Sequence, residues 1–182
     1  HSGLGSGTQL ALSVAAGLAE LHGQDRDPAH LARLVSRGQR SAVGTWLFGH
    51  GGFVLEGGRR GEHGLAPLLA HHPMPPSWHA VVAIPEAAPG LSGDDEARAF
   101  QGLPRPSERE VEHIAHLVLM QLLPALVDAD LAAFGRALTE VQRITGGWFA
   151  SHQGGAFAPG AEALIERLRG AGAAGVGQSS WG

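Results

Sequence analysis

The chain has 182 residues, 43% of them hydrophobic and 16% charged, with a formal net charge of −4. That length suffices for one full core or two small ones, and the acidic balance, with no basic run, argues against nucleic acid or an anionic membrane as the main partner. All 13 basic residues are arginine and cysteine is absent, which excludes disulfides, thiol catalysis, thiolate metal sites and lysine-anchored pyridoxal phosphate from this segment.

The chain opens on HSGLGSGTQLAL, a glycine-rich turn running into an apolar helix. Leu10, Ala11, Val14, Leu18 and Leu21 recur at helical spacing and predict a helix over residues 8–22, with Gly23 as its stop. Asp27 then caps a short helix opened by Pro28, with Leu31, Leu34 and Val35 on one face and Gly38 as its end. RSAVGTWLFGHGGFVLEGG reads as a short helical stretch, a Gly51-Gly52 turn and a strand through Phe53, Val54 and Leu55. Residues 57–77, rich in Gly, Pro and His, read as a hairpin or loop. Residues 78–85, WHAVVAIP, are a continuous apolar run closed by proline and predict a buried strand.

The second half is helical. Ser107 and Glu110 have capping-box spacing ahead of Val111, Ile114, Leu117, Val118 and Leu122, and Pro124 should kink or end that helix. Asp130 caps another helix through Leu131, Phe134, Leu138 and Val141, and residues 159–169 form a third, stopped by Gly170. AGAAGVGQSSWG, at the end, reads as a strand entering a second glycine-rich turn. No apolar run reaches the ~18 to 20 residues of a membrane span, and no signal peptide is visible. The order of elements suggests an α+β fold of two lobes divided near residue 75.

In the opening turn, Gly3, Gly5 and Gly7 permit positive φ and leave no Cβ in the way of a ligand. The helix behind them presents unpaired N–H groups and a positive dipole end, which together suit a phosphate. Leu4 contributes backbone, and the Ser6 and Thr8 hydroxyls add hydrogen bonds, so an anion can be held without lysine. A tight turn chosen for geometry alone is the competing reading.

The spacing fits neither a Walker nor a Rossmann fingerprint. It resembles the phosphate loop of the GHMP superfamily of kinases, in which G-L-G-S-S-A precedes a helix: Gly3, Leu4, Gly5 and Ser6 match, while Gly7 and Thr8 replace the last two. GVGQSSWG, residues 175–182, resembles the third motif of that superfamily. In those kinases a stretch S-G-x-D, seven residues before a Gly-Gly, supplies the aspartate that activates the acceptor hydroxyl. Here Ser41, Ala42 and Val43 fall in place and Gly44 stands where the aspartate would be. The serine expected to help hold the nucleotide's metal is replaced by Gly7. Both losses count against phosphoryl transfer.

One branch is closer. The opening His1–Gln9, the RSAVGTWLFGHGGFVLEGG stretch, the FQGLPRPSERE stretch and GVGQSSWG are similar to the β-ribofuranosylaminobenzene 5′-phosphate synthase family. The resemblance implies an α+β, GHMP-kinase-like fold of two lobes, a ribosomal S5 domain 2-like N-terminal lobe (residues 1–75 here) and a ferredoxin-like C-terminal lobe (residues 76–182). Strands before residue 1 and after residue 182 are expected to be missing from this chain. It implies a transferase that joins 4-aminobenzoate to 5-phosphoribosyl-1-diphosphate, releasing carbon dioxide and diphosphate, on the way to methanopterin-type one-carbon carriers. A GHMP-type small-molecule kinase and a non-catalytic phosphate-metabolite binder remain the alternatives, and the acceptor remains either 4-aminobenzoate or 4-hydroxybenzoate.

The residues expected to matter follow from that. Gly3, Leu4, Gly5, Ser6, Gly7 and Thr8 are the phosphate-binding stretch, and His1, Gln9, Arg40, Gln178, Ser179 and Ser180 are substrate-binding candidates. No catalytic acid or base is assigned. Mg²⁺ is implied by the diphosphate, without protein ligands that the sequence identifies. Asp94, Asp95 and Glu96 read equally as a helix start whose acids favour the dipole. His113 and His116 share a helix face but have no third ligand at metal spacing. Expected partners are the two small-molecule substrates, with a homodimer left open, in the cytoplasm.

Overall fold

The computed structural model describes residues 4–59, 61, 64–84 and 93–179, with backbone alone over 93–97. The chain divides into two compact units, one of Gly5–Met74 and one of Pro75–Gly182 together with His1–Leu4. Helices and an antiparallel hairpin combine, in keeping with an α+β fold.

In the unit Gly5–Met74 the helices are α1 (Ser6–Leu21), α2 (Pro28–Leu34) and α3 (Val43–His50). Strands β1 (Phe53–Glu56) and β2 (Leu68–His72) follow. The Asp27 carboxylate accepts the His30 N–H at 2.7 Å and Pro28 presets the first turn of α2, as the sequence predicts. The helix ends earlier than Gly38, in a Schellman turn. Ser36 takes φ 53°, its N–H bonds the Arg33 carbonyl at 3.2 Å, and the Arg37 N–H bonds the Ala32 carbonyl at 2.8 Å. The core is Leu12, Leu31 and Ala32, packed with Ala15, Ala16, Ala19, Val35, Phe48 and Leu65. Small residues let the helices close in. A Cβ on Gly49 of α3 would lie 2.5 Å from Pro28 Cγ, so glycine is required where α3 meets the start of α2. β1 and β2 pair antiparallel, Phe53 opposite His72 and Leu55 opposite Ala70, with a register shift at Glu56.

Two expectations about buried faces are corrected. On α1 the Leu10–Val14–Leu18–Leu21 stripe is exposed, Leu21 at 80%, while Leu12 is fully buried. The helix is apolar around most of its circumference, with Gln9, Ser13 and Glu20 along one strip, and periodicity cannot tell which apolar side neighbours cover; here α2 and α3 cover the Leu12 side. On α2, Leu34 is exposed and Ala32 takes the buried place beside Leu31.

The second unit holds α4 (Gly93–Gly102), α5 (Glu108–Leu117), α6 (Leu123–Val127), α7 (Leu131–Gln153) and α8 (Ala161–Gly170). The capping box forms in full: the Ser107 N–H and hydroxyl donate to the Glu110 carboxylate at 2.9 and 2.7 Å, and the Glu110 N–H donates back at 3.3 Å. Pro124 does not end the helix, but the ladder changes from α to π just before it. A π turn, Val118–Leu122, joins α5 to α6 just ahead of Pro124 and takes up the break that a residue without an N–H makes in the ladder. Glu108–Val127 is therefore continuous, and by length and composition alone it would pass as a membrane span, contrary to the sequence expectation. Its Leu117, Leu122, Ala125 and Leu126 are buried in this unit. Asp130 caps α7 through the Ala133 N–H at 2.9 Å.

The strand expected at 78–85 does not form over its described residues, 78–84; Pro85 lies outside them. Val81 and Ile84 are 77% and 66% exposed. A strand exists only through its ladder, and no described segment pairs with this one. The closing stretch likewise forms no strand over its described residues. Side chains of α7 take the place of a partner strand there: the Val176 N–H donates to Thr139 Oγ1 at 3.2 Å and the Gln178 N–H to Gln142 Oε1 at 3.1 Å.

Candidate functional site

The start of α1 is built from glycine and backbone. Gly5 is the N-cap residue at φ 68°, ψ 12°; no side chain caps the helix and no acidic residue stands in its first turn. A residue with a Cβ disfavours that φ, which is why glycine stands there. The Thr8 and Gln9 N–H groups bond back to the Gly5 carbonyl at 3.0 and 3.1 Å. The Ser6 and Gly7 N–H groups are then without an acceptor among the described residues, at the positive end of a 16-residue helix. Leu4, Gly5, Ser6 and Gly7 are exposed and Thr8 is half-buried. Ser6, Gly7 and Thr8 are already helical, so the expected loop is in large part a first helical turn. His1 and Gly3 lie outside the described residues.

An arginine that the sequence reading does not single out, Arg37, lies beside this turn. Arg37 Nη2 lies 4.0 Å from where a Cβ on Gly7 would be. Arg37 reaches there because Ser36, in the left-handed region, turns the chain back after α2. A non-glycine residue at a Schellman position leaves no mark that sequence reading would pick out. Arg40 is exposed in the stretch that leads into α3.

The start of α3 meets the start of α1. Gln9 Nε2 donates to the Gly44 carbonyl at 2.8 Å. A Cβ on Gly44 would stand 3.2 Å from Thr8 Cγ2 and 3.9 Å from Gln9 Nε2. Position 44, where the kinases' aspartate would fall, therefore lies in contact with two residues of the first turn of α1. The α3 N-terminus is itself occupied from within: the Ala42 N–H donates to Glu56 Oε2 at 2.6 Å and the Val43 N–H to Ser41 Oγ at 3.2 Å. With a carboxylate already on it, this second helix start offers an anion little.

The closing glycine-rich stretch belongs to the other unit and packs on α7. The Gly175 Cβ position is 2.5 Å from Gly135 Cα, and that of Gly177 is 2.7 Å from Gln142 Cγ, so both glycines are explained by close approach to the helix. Gln178 Oε1 accepts the Ala158 N–H at 2.6 Å and Gln178 Nε2 donates to Gln153 Oε1 at 3.2 Å. Both ends of that amide thus hold the stretch in place. Ser179 is exposed, and Ser180 lies outside the described residues.

Several polar groups between α5 and α7 are paired with one another. An open groove of about 610 Å³ between α5 and α7 is lined by Arg109, Glu110, Glu112, His113 and Arg143 among others. Arg143 grips Glu140 through two bonds of 2.7 and 2.9 Å, which hold the Glu140 carboxyl below and the guanidinium above their usual ranges. Hydrogen bonds from Ser107 hold Glu110 below the usual carboxylate range. Among the described residues no three His, Cys, Asp or Glu side chains come together as a metal site; the side chains of Asp94, Asp95 and Glu96 lie outside them. Trp46 Nε1 donates to the Ala66 carbonyl at 2.9 Å, and Trp78 packs on Phe134 with ring centroids 4.9 Å apart. Both indoles are used in holding the fold.

Residues 1–49, which span the α1 start and Gly44, match the GHMP kinases N terminal domain. The whole chain is 34% identical to the beta-ribofuranosylphenol 5′-phosphate synthase of Methanothermobacter thermautotrophicus, covering 58% of that protein. The protein of the same name from Archaeoglobus fulgidus is 38% identical over 79% of the chain and 49% of its own length. That from Methanocaldococcus jannaschii is 31% identical over 78% and 47%. The chain spans about half the length of the curated relatives it matches. It is a relative of the beta-ribofuranosylphenol 5′-phosphate synthases, in the GHMP kinase superfamily.

Proposed function

We infer that the protein joins 4-aminobenzoate to 5-phosphoribosyl-1-diphosphate, releasing carbon dioxide and diphosphate, for a methanopterin-type cofactor. The observation that carries this reading is position 44. A kinase of this superfamily needs a carboxylate there to take a proton from an alcohol. Here a glycine stands against Thr8 and Gln9. The ribosyl transfer needs no such base, because its acceptor is the ring carbon that bears the carboxylate. The bond from ribose C1 to diphosphate breaks, the ring carbon bonds to C1, and loss of carbon dioxide returns its electron pair to the ring.

What the chain's residues do in that scheme is hold and aim charge. The Ser6 and Gly7 N–H groups and the helix dipole receive phosphate oxygens, and Arg37 adds a guanidinium on the same side. Mg²⁺, when bound, neutralises diphosphate oxygens; with no carboxylate cluster among the described residues, the fit is to an ion that arrives on its substrate rather than to a protein cage. The relatives are named for a ribosylated phenol, so a hydroxylated acid is the natural competitor for the acceptor place.

The test is direct. Full-length protein, phosphoribosyl diphosphate, Mg²⁺ and carboxyl-labelled 4-aminobenzoate should release labelled carbon dioxide, with 4-hydroxybenzoate run beside it. Consumption of ATP with a small alcohol, and no carbon dioxide from either acid, would favour kinase chemistry instead.

A further inference from the structure

We propose that Gln9 is a positioning residue, a strut that fixes the phosphate-receiving turn of α1 against α3, and not a ligand of the substrate. The proposal rests on the ribosyl-transfer reading above for which substrate senses the loss. Its geometric part stands without that reading.

The side-chain amide of Gln9 spans 35 positions of sequence to donate to the Gly44 carbonyl at 2.8 Å, in a half-buried setting. A carbonyl inside a helix has a second lone pair, so this bond adds to the α3 ladder without breaking it. One residue earlier, Thr8 sets its methyl against Gly44. The first turn of α1 is thereby tied to α3 by a polar bond and an apolar contact on adjacent residues. Backbone donors are useful only where they stand, and a small misplacement of a binding group costs affinity. Ser6 and Gly7, the residues whose N–H groups are open, lie three and two positions before the strut. With one amide N–H held by the Gly44 carbonyl, the Gln9 side chain is fixed toward α3.

The variants are Gln9→Ala, which removes the strut, and Gln9→Met, which keeps its bulk and removes the donor. In the full chain both should raise KM for phosphoribosyl diphosphate about 5- to 10-fold, the size of one lost hydrogen bond. The KM for the aromatic acid and kcat should stay within about twofold. If Met behaves as wild type, packing and not the bond matters, and the proposal fails. If melting temperature falls while both KM values hold, Gln9 is merely structural, and the proposal fails again. Nuclear magnetic resonance of the free protein supplies the independent arm. The Gln9 side-chain NH₂ should exchange slowly before any ligand is added, and saturating phosphoribosyl diphosphate should leave its shifts in place. A fast-exchanging NH₂ in the free protein, or one that moves with the ligand as far as the Ser6 and Gly7 amides do, would overturn it. A wild-type protein that neither binds nor turns over phosphoribosyl diphosphate defeats the functional reading, and the exchange measurement still decides the strut.

Discussion

Gly135→Ala probes whether the closing glycine-rich stretch is held by α7. Gly135, Thr139 and Gln142 lie at i, i+4 and i+7 on one face of that helix, and the stretch lies along them. A Cβ on Gly135 would overlap the Ala174 carbonyl and stand 2.7 Å from the Gly175 nitrogen. These are backbone atoms, with no side chain to swing aside. The stretch must lift, and with it go the bonds from Val176 to Thr139 and from Gln178 to Gln142, together with the burial of Val176. Each bond is worth about 1 kcal/mol and the valine about 2 kcal/mol. Alanine returns up to about 1 kcal/mol in helix propensity. The net loss is about 3 kcal/mol, equivalent to roughly 12–24 °C in the melting of this unit. Thermal melting measures it, and hydrogen exchange at Val176 localises it. An unchanged or raised melting temperature, with Val176 still protected, would refute the packing account of Gly135 and Gly175.

Three further outcomes are expected. Ser36→Gly relieves a left-handed residue at the end of α2 and should stabilise by about 1 kcal/mol; a lowered melting temperature would mean that Ser36 does something more than turn the chain. Ser107→Ala should lower the melting temperature at neutral pH. The Glu110 carboxyl is held below its ordinary value of 4.5 by Ser107, so this contribution is present above that value and lost as pH falls through the depressed one. The gap between wild type and variant should therefore narrow in acid to what the Glu110 N–H bond to Ser107 Oγ supplies, and a gap that does not change with pH contradicts the carboxylate half of the box. Arg37→Ala should weaken phosphoribosyl diphosphate about 10-fold at low salt in equilibrium titration. For an exposed guanidinium the deficit should shrink at high salt; an unchanged affinity would remove Arg37 from the site.

What the sequence made legible was local. Asp27, Ser107 and Asp130 each announced a helix start, because a cap and its N–H lie within three residues of one another. The helix behind the opening turn was legible for the same reason, although it starts at Ser6 and not at Thr8. What failed was whatever depends on a distant partner. Residues 78–84 have the composition of a strand but no described ladder, and the closing stretch finds its partners in the side chains of Thr139 and Gln142 rather than in another strand. The Leu10–Leu21 stripe on α1 was read correctly as apolar; the covered side is the one with Leu12 and alanines small enough for α2 and α3 to approach. At the site, Gly44 was legible as a departure from a pattern, whereas its contact with Thr8 and Gln9 across more than thirty positions was not. Arg37 was hidden because its direction is set by the φ of the serine before it.

The central claim is that the start of α1 grips a phosphorylated sugar through backbone N–H groups. The most direct measurement is an amide-resolved titration of the full chain with phosphoribosyl diphosphate and Mg²⁺. The Ser6 and Gly7 amides should shift together and saturate with one affinity, ahead of any change at the α3 start, where Glu56 already holds the Ala42 N–H. Shifts confined to other residues, with Ser6 and Gly7 unmoved at saturation, would contradict it.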